Sequence, residues 1–499
     1  MGLLSKDELA RLVPSELVDA GTPIPTRIVS SDEYFPAAQN AAQREAEARM
    51  LAMGDTLAKK HGTSRRRFFQ TASGMAAAFV AMNQTYGNLF DASEAEAATP
   101  EMANARADGL KNQFIMDMHT HFLRDDTRLT GFVRAREAVG KRGWNPALVD
   151  KPQTIEDLKF NNYFKEIYLD SDTKVALISS SPSEIPEDWF LTNEMTAAAR
   201  AQVNAKAGSK RMFAHGIFTP GQPGWLDSLD AALALKPDSM KGYTIGDNTH
   251  KDTSRYPWRM DDEKLVYPAY QKMLDAGIRN VCVHKGLFPP SLDRRFPHLR
   301  GFADVSDVGQ AAKDWPQLNF VIYHAGYRHV GQGADPAYAL AEFERTGRSA
   351  WVSDLADIPA MFGVSNVYAD LGQLFANSTV AQPRLAAALM GIMIKGMGAD
   401  HVVWGTDAVW TGSPQWQIEG LRRLEIPDDM QKRYGFAPLG PADGKVKTAI
   451  FADNSARIYK FEKHAAAPLT DRFAVMKARY EEAGSGRSNM RYGYVAMTG

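Results

Sequence analysis

The sequence predicts an α/β protein folded as a (β/α)8 TIM barrel. Short apolar segments rich in β-branched residues recur between positions 113 and 406, and amphipathic polar segments separate most of them. Eight such units over about 300 residues fit the size of this barrel. A doubly wound open sheet is the alternative, but it normally carries a glycine-rich phosphate loop after an early strand, and no such loop follows position 119.

The predicted strands follow one another along the chain and most are joined by helical segments. Helices are expected over 262–276, 336–346 and 385–397, where apolar residues recur at helical spacing. The connection from 122 to 173 is long, and such loops at the upper face of a barrel usually carry lid or substrate contacts. The expected strands are 113–119, 174–180, 211–218, 239–243, 280–284, 319–324, 366–370 and 401–406.

Composition places the chain among ordinary globular proteins. Its 499 residues are 44% hydrophobic and 23% charged, with a formal net charge of -1. A charge this close to zero gives no general case for nucleic-acid binding or for an anionic membrane surface. The single cysteine, Cys282, excludes an internal disulfide.

The domain organisation expected from the sequence is a leader at 1–98, a barrel at 112–463 and an extension at 464–499. Within the leader, the segment Ser-Arg-Arg-Arg-Phe-Phe-Gln at 64–70 precedes an uncharged apolar segment at 71–82 and then Ala-Glu-Ala at 95–97. A basic region, a short apolar region and a small-residue cleavage site follow one another in this order in secretory signals. A basic helix start followed by a core helix is the alternative interpretation.

The paired arginines Arg65 and Arg66 in that segment resemble the twin-arginine export signal. The resemblance implies the twin-arginine export machinery as a partner and a periplasmic location, reached by the folded protein. If the segment is not a signal, the expected location is the cytoplasm.

The motif Asp117-Met118-His119-Thr120-His121 closes the first predicted strand. Successive side chains of a strand point to opposite faces, so His119 and His121 share a face. Two neutral imidazoles held in this way can bind one metal ion.

Three more residues with metal-binding side chains end later strands: His284, His324 and Asp407. Strand ends of a TIM barrel meet at the face where active sites form. Four histidines and an aspartate converging there predict a metal site.

These motifs also carry a family resemblance. Asp-Met-His-Thr-His-Phe, Val-His-Lys-Gly, Tyr-His-Ala-Gly and Trp-Gly-Thr-Asp resemble the amidohydrolase superfamily, in particular the amidohydrolase-related branch that includes aminocarboxymuconate-semialdehyde decarboxylase. The resemblance runs from about 114 to 461, where Asn-Ser-Ala-Arg at 454–457 is similar to the closing helix of the branch. It implies one divalent ion, expected to be Zn²⁺, held by His119, His121, His284 and Asp407, with His324 acting on water or substrate.

The implied chemistry is metal-dependent hydrolysis. Such an ion would lower the pKa of a water molecule toward ~7, and Asp407 would accept the proton and pass it to the leaving group. The expected substrate is a small organic molecule cleaved at a C–N or C–O bond. A non-oxidative decarboxylase with the same residues is the alternative, and a non-catalytic metal-binding barrel is a third hypothesis.

Three further side chains are candidate substrate contacts. Arg124 and Trp410 lie in upper loops, and an arginine suits a carboxylate substrate. Lys241 lies on the fourth strand, where two-metal members of the superfamily carry a carboxylated lysine that bridges two ions. We favour an ordinary structural or substrate-contacting lysine, because the surrounding motifs resemble the single-metal branch. The sequence leaves the oligomeric state open, a homo-oligomer included.

Overall fold

The computed structural model describes residues 22–28, 33–34, 37–129, 155–331, 336–462 and 467–482, together with Arg134, Glu137, Ala138 and Lys141. Within this part of the chain, eight parallel strands pair in sequential order, from the first to the eighth. The TIM-barrel prediction is therefore confirmed. The strands are β1 Met116–Thr120, β2 Val175–Ile178, β3 Met212–Ile217, β4 Ser239–Tyr243, β5 Asn280–His284, β6 Asn319–Tyr323, β7 Val367–Asp370 and β8 Val402–Val403.

The barrel closes where the chain beyond β8 runs beside β1. The amide of Met118 donates to the Trp404 carbonyl over 3.0 Å, and the His121 amide donates to the Ala408 carbonyl over 2.6 Å. The sequence predicts a last strand over 401–406, yet β8 contains only two residues. The chain leaves the ladder at this point and turns toward the upper face, which brings Asp407 beside β1.

Helices surround the barrel, and capping residues define where they begin and end. The helix over residues 193–207 begins at Thr192, whose hydroxyl accepts from the Met195 amide, and ends at Gly208 with φ 78°. The barrel helices are α6 Phe160–Phe164, α7 Asn193–Ala207, α8 Trp225–Ala234, α9 Tyr267–Asp275, α10 Pro290–Arg295, α11 Arg300–Ala303, α12 Val308–Asp314, α13 Pro336–Thr346, α14 Val352–Phe362, α15 Leu374–Ala381, α16 Pro383–Met397, α17 Gln415–Arg423, α18 Asp428–Tyr434, α19 Lys445–Thr448 and α20 Asn454–Ile458.

Residues 41–110, before the barrel, are folded onto it. The apolar segment of the expected signal forms a helix capped by Thr71, and its residues 73–82 are all buried. Phe79 belongs to the same hydrophobic cluster as the barrel interior, and Glu96 pairs with Arg423 at 2.7 Å. The helices of this region are α1 Ala41–Lys60, α2 Arg65–Phe69, α3 Ala72–Tyr86, α4 Glu94–Ala98 and α5 Pro100–Leu110.

Residues 468–482, after the barrel, also pack on it. Asp471 receives two hydrogen bonds from the guanidinium of Arg211, and the Phe473 ring meets Phe164 edge-on at 4.9 Å. The helices here are α21 Ala467–Thr470 and α22 Arg472–Glu482. The expected domain limits at 98, 112 and 463 stay predictions. Among the described helices, none combines the length and apolar character that a membrane crossing requires.

Candidate metal centre

Three predicted ligands converge at the closing edge of the barrel. The Nε2 atoms of His119 and His121, both at the end of β1, lie 3.1 Å apart. Asp407 follows β8, and its Oδ1 lies 3.1 Å from each of these nitrogens. All three side chains are buried, so the group is shielded from bulk water.

The outer nitrogens of the two imidazoles fix which nitrogen carries the proton. Nδ1 of His119 donates to Oδ1 of Asp370 over 2.8 Å, and Nδ1 of His121 donates to the Ser179 carbonyl over 3.1 Å. With a metal ion bound, both protons would therefore point away from Asp407 and both Nε2 lone pairs would point toward the ion. Bound metals are held by histidines with this outer-shell arrangement.

This donor set fits a divalent cation. Two donors bound at about 2.1 Å to one ion lie roughly 3 Å apart, as these three do. Among the described residues, the buried Oδ2 of Asp407 has no hydrogen-bond partner. Two lone pairs and a carboxylate facing one another at 3.1 Å need a positive charge between them. His119, His121 and Asp407 thus form one of the groups of described residues that could hold a metal ion.

His284 and His324 form a neighbouring group rather than joining these three atoms. Their ring centroids lie 4.6 Å apart, and the ring of His324 is 5.0 Å from that of His119. Nε2 of His284 lies 3.2 Å from a carboxylate oxygen of Glu33, which belongs to the chain before the barrel. The structure therefore places three of the four predicted ligands together and the fourth, His284, beside them with Glu33.

His324 is held with one nitrogen free. Its Nδ1 donates to the Gly372 carbonyl over 2.9 Å, while its buried Nε2 finds no hydrogen-bond partner in the described part of the chain. Burial lowers the pKa of His324 well below its ordinary value, so the ring is neutral at pH 7. A neutral imidazole of this kind can accept a proton or a hydrogen bond at Nε2.

Burial and charge act in opposite directions within the group. Burial disfavours the imidazolium of His119, but the carboxylates of Asp407 and Asp370 outweigh it and raise the pKa of His119. Burial disfavours the Asp407 carboxylate, yet the two imidazoles hold the pKa of Asp407 well below its usual value. The carboxylate is therefore ionised at neutral pH, as a metal ligand or general base must be.

The backbone is strained at two of these residues. His324 has φ 61°, its successor Ala325 has φ 48°, and Asp407 has φ 60°. Side chains other than glycine rarely adopt this left-handed conformation, and such residues concentrate at functional sites. The Asp407 amide donates to the His119 carbonyl over 2.8 Å, which holds the strained turn against β1.

Two glycines leave room for the Asp370–His119 pair. A Cβ on Gly405 would lie 2.0 Å from Oδ2 of Asp370, and a Cβ on Gly372 would lie 2.4 Å from Nδ1 of His119. The glycine of the Trp-Gly-Thr-Asp motif is therefore required by close packing against Asp370.

Asp117 of β1 is hydrogen-bonded to the segment that follows β8. Its carboxyl group accepts from the Thr406 amide over 3.0 Å and from the Thr406 hydroxyl. Burial raises the pKa of Asp117 to about 7. Thr406 precedes Asp407, so Asp117 positions the candidate metal-binding carboxylate through the adjacent residue.

The three candidate substrate contacts lie in different surroundings. The indole of Trp410 stacks on His121 with centroids 5.5 Å apart, and Nζ of Lys241 lies 3.2 Å above the Tyr323 ring. Arg124 forms a two-pronged ion pair with Asp126. Trp410 and Lys241 border the histidines, whereas Arg124 is bound to its own loop. Part of that loop, 142–154, lies outside the described residues.

Lys241 is buried, and within the described chain its ammonium group has no hydrogen-bond partner. Burial lowers the pKa of Lys241 to about 7. Its charge is therefore easily lost, and a nearby anion would stabilise it.

Sequence reasoning missed two residues of the site. Asp370 ends a strand that was predicted correctly, and its position there was the available signal. Glu33 lies 251 positions before its partner His284, and no local pattern marks it.

Comparison with known proteins identifies a matching family and similar solved structures. The amidohydrolase family model matches residues 116–461. The chain is similar in structure to an uncharacterized TIM-barrel protein from Bordetella bronchiseptica, with 14% identity, a TM-score of 0.44, and coverage of 70% of this chain and 98% of that one. No curated protein matched the sequence significantly.

Two enzymes are also similar in structure. One is a 5-carboxyvanillate decarboxylase from Novosphingobium aromaticivorans solved with manganese, with 13% identity, a TM-score of 0.38, and coverage of 70% of this chain and 97% of that one. The other, from Pseudomonas putida, is assigned as a 2-pyrone-4,6-dicarboxylic acid hydrolase, with 12% identity, a TM-score of 0.37, and coverage of 70% and 99%.

Proposed function

This chain belongs to the amidohydrolase family, and from that premise we propose that it is a metal-dependent hydrolase cleaving a C–N or C–O bond of a small organic substrate. One observation carries the proposal. Nε2 of His119, Nε2 of His121 and Oδ1 of Asp407 meet at 3.1 Å with both imidazole protons turned away. Nε2 of His324, unbonded within the described residues, lies beside this group. A barrel that only stored a metal would not require such a proton acceptor, which argues against the non-catalytic hypothesis.

The proposed cofactor is one divalent ion, with Zn²⁺ as the expected metal. Two imidazoles and a carboxylate suit zinc, and the family resemblance adds His284 as a fourth ligand. When bound, such an ion would act as a Lewis acid and would lower the pKa of a water molecule bound to it.

Asp407 is the proposed proton carrier. Its Oδ1 faces the two imidazoles, whereas its Oδ2 is buried and unbonded within the described residues. Asp407 is ionised at neutral pH, and its unbonded Oδ2 has a lone pair that can accept a proton from water. The same atom can then deliver the proton to the leaving group.

His324 is the proposed orienting residue. Its Nδ1 proton is bound by the Gly372 carbonyl, which leaves the Nε2 lone pair to accept a hydrogen bond. Neutral at pH 7, it can direct the O–H of a water molecule or the N–H of a substrate.

Aromatic side chains surround the group and limit its contact with bulk water. Trp410 stacks on His121, Phe190 meets the Trp410 ring at 5.4 Å, and Tyr243 stacks on His284 at 4.8 Å. A dry site strengthens the interaction between the charges and a polar substrate.

The Asp407→Asn variant tests the proposal. Purified protein is screened against esters, lactones and amides, and metal content is measured in parallel. We expect hydrolysis to fall about 10²- to 10⁴-fold in Asp407→Asn, and Asp275→Asn, on an exposed side chain, to match the parent. Equal rates in Asp407→Asn and the parent would contradict the proposed role.

A non-oxidative decarboxylase is the second candidate, and Lys241 favours it. A buried ammonium group with no hydrogen-bond partner among the described residues can hold a substrate carboxylate. CO2 release from aromatic carboxylic acids is the diagnostic assay. If Lys241→Met abolishes CO2 release while ester hydrolysis is absent throughout, the reaction is decarboxylation.

We also propose export through the twin-arginine pathway. Arg65 and Arg67 are exposed, whereas Phe68 and Phe69 are buried against neighbouring helices. Recognition by an export receptor would therefore require this segment to leave its packed position. Cell fractionation of an Arg65→Lys, Arg66→Lys variant tests the proposal: retention in the cytoplasm supports it, and an unchanged distribution contradicts it.

A further inference from the structure

Residues 22–28, which precede α1, are anchored to the folded protein. Ile24 and Ile28 are buried in the same hydrophobic cluster as the barrel interior. Glu47 of α1 accepts a hydrogen bond from Thr26 over 3.1 Å and pairs with Arg27 at 3.1 Å. Residues 22–28 are therefore part of the folded protein.

Tyr34 attaches the same region of the chain to the edge of the metal centre. Its hydroxyl donates to Oε1 of Gln373 over 2.9 Å and accepts from Nδ2 of Asn377 over 2.9 Å. Gln373 follows Gly372, whose carbonyl binds His324. Tyr34 thus fixes its neighbour Glu33 at the mouth of the site.

Glu33 directs its carboxylate into the site. Oε2 lies 3.2 Å from Nε2 of His284, and a ligand atom of each of Glu33, His284 and His324 falls within 4.8 Å of the others. The charge of Lys251 also acts on this carboxylate. The pocket therefore has the hydrogen-bonding groups and the charge to receive a carboxylate.

The Glu33 carboxylate also lies nearer to solvent than the candidate metal ligands. His119, His121, His284, His324 and Asp407 are each exposed by 4% or less, whereas the Glu33 side chain is exposed by 17%. A substrate carboxylate cannot hydrogen-bond to Nε2 of His284 while the Glu33 carboxylate occupies that position.

We propose that Glu33 is an intramolecular occupant of the substrate site: its carboxylate lies beside His284 and His324 where the carboxylate of an organic acid substrate binds, and the substrate must displace it. This inference rests on the proposed function, because it assigns a substrate class to the same site. It adds a competing group that is supplied by the chain itself.

Displacement has a measurable cost in affinity. The apparent dissociation constant rises in inverse proportion to the fraction of molecules in which the occupant has left the site. If Glu33 occupies the site in roughly 90–99% of molecules, removing it strengthens ligand binding about 10- to 100-fold.

Propionate is the appropriate probe, because it is the carboxylate fragment of a glutamate side chain. Its binding to the metal-loaded full chain is measured by isothermal titration calorimetry for the parent, Glu33→Gln and Glu33→Ala. We expect Glu33→Ala to bind propionate at least about tenfold more tightly than the parent, with Glu33→Gln between them. Glu45→Gln, on an exposed side chain of α1, is the matched control and should equal the parent.

A second measurement leaves Glu33 unchanged. Tyr34→Phe loses the hydrogen bonds to Gln373 and Asn377, so it should also bind propionate more tightly. In the parent, propionate should increase amide hydrogen exchange in residues 22–28. Equal propionate affinity in the parent and Glu33→Ala, or no propionate binding in any variant, would overturn the inference.

The outcomes separate this inference from the proposed function. If Glu33→Ala binds propionate more tightly but no screened substrate is hydrolysed, the occupancy of the site by Glu33 is supported and the proposed hydrolase function is contradicted. Hydrolysis in the parent that is lost in Glu33→Gln, with unchanged propionate affinity, would make Glu33 a catalytic group and overturn the occupant.

Discussion

Nδ1 of His119 lies 2.8 Å from Oδ1 of Asp370, and the two residues are 251 positions apart in the sequence. Asp370 also accepts from the Gly372 amide over 3.1 Å and from the His324 amide over 3.3 Å. One carboxylate therefore sets the proton position of His119, a proposed metal ligand, and holds the backbone of His324, the proposed orienting residue. This makes Asp370 a positioning residue for the whole centre.

Asp370→Asn should weaken metal retention. Loss of the charge makes His119 a poorer donor to the metal and loosens its ring, and outer-shell changes of this kind cost about 10- to 100-fold in metal affinity. Competition with a chelator of known affinity measures the change, and Asp275→Asn is the control because its side chain is exposed. Unaltered metal affinity in Asp370→Asn would contradict the role of Asp370.

Gly405→Ala should disturb the same pair without changing any charge. The added methyl group would lie 2.0 Å from Oδ2 of Asp370 and 2.7 Å from Cβ of His119. Overpacking of this kind typically costs ~1–3 kcal/mol. We expect a lower midpoint of urea unfolding and weaker metal binding. Gly301→Ala is the control, because nothing lies within 4 Å of its new methyl group; equal behaviour of the two variants would contradict the packing argument.

The sequence was sufficient to predict the barrel and the ends of its strands. The limits of β4 and β5 match the prediction without change, because buried parallel strands are continuous apolar segments bounded by turn residues. The last strand was predicted too long. Its residues 404–406 are apolar or small, but they bend away from the strand into the loop of the site. There Thr406 donates hydrogen bonds to Asp117, and Gly405 leaves room for Asp370.

The site was predictable only where its residues form local motifs. His119 and His121 lie two positions apart, so strand geometry alone puts them together. Asp370 looks like an ordinary strand end, and its role emerges only from a contact across 251 positions. Glu33 depends on the docking of the chain before the barrel, which no short-range pattern encodes.

The apolar segment at 71–82 shows why composition can support two interpretations. Small apolar residues without charge occur both in signal sequences and in buried helices. Here they form α3 against the barrel, and Phe79 lies in the main hydrophobic cluster. The export prediction stays a prediction, because burial in the folded state does not decide how the chain is routed.

Glu96→Gln should destabilise the docked helices before the barrel. Glu96 forms two hydrogen bonds with the buried guanidinium of Arg423, at 2.7 and 3.0 Å. Removing one partner of a buried ion pair costs about 3 kcal/mol. Urea unfolding measures the loss, and Glu94→Gln, with an exposed side chain, should show no comparable change. An unchanged unfolding free energy in Glu96→Gln would mean that this contact does not hold the helices.

Burial of Lys174 should make the free energy of unfolding depend on pH, and this dependence does not involve the metal centre. Burial lowers the pKa of Lys174 to about 8 from 10.5, so the folded protein binds fewer protons than the unfolded chain between these values. Stability contributed by this residue therefore rises as the pH increases from about 8 to 10.5. At pH 7 the buried charge costs on the order of 3 kcal/mol.

Lys174→Met removes this dependence. The variant should be more stable than the parent at pH 7, and the difference should shrink by pH 10 in urea unfolding measured at both values. Lys264→Met, which alters an exposed lysine, should show neither effect. A difference between Lys174→Met and the parent that is the same at both pH values would contradict the assignment.

The central claim is that one divalent ion is held by His119, His121 and Asp407. Elemental analysis of purified full-length protein tests it most directly, with a His119→Ala, His121→Ala variant prepared in parallel. The account predicts one ion per chain in the parent and none in the double variant. Two ions per chain in the parent would instead implicate Lys241 as a bridging ligand, and full metal content in the double variant would place the ion elsewhere; either result would contradict the claim.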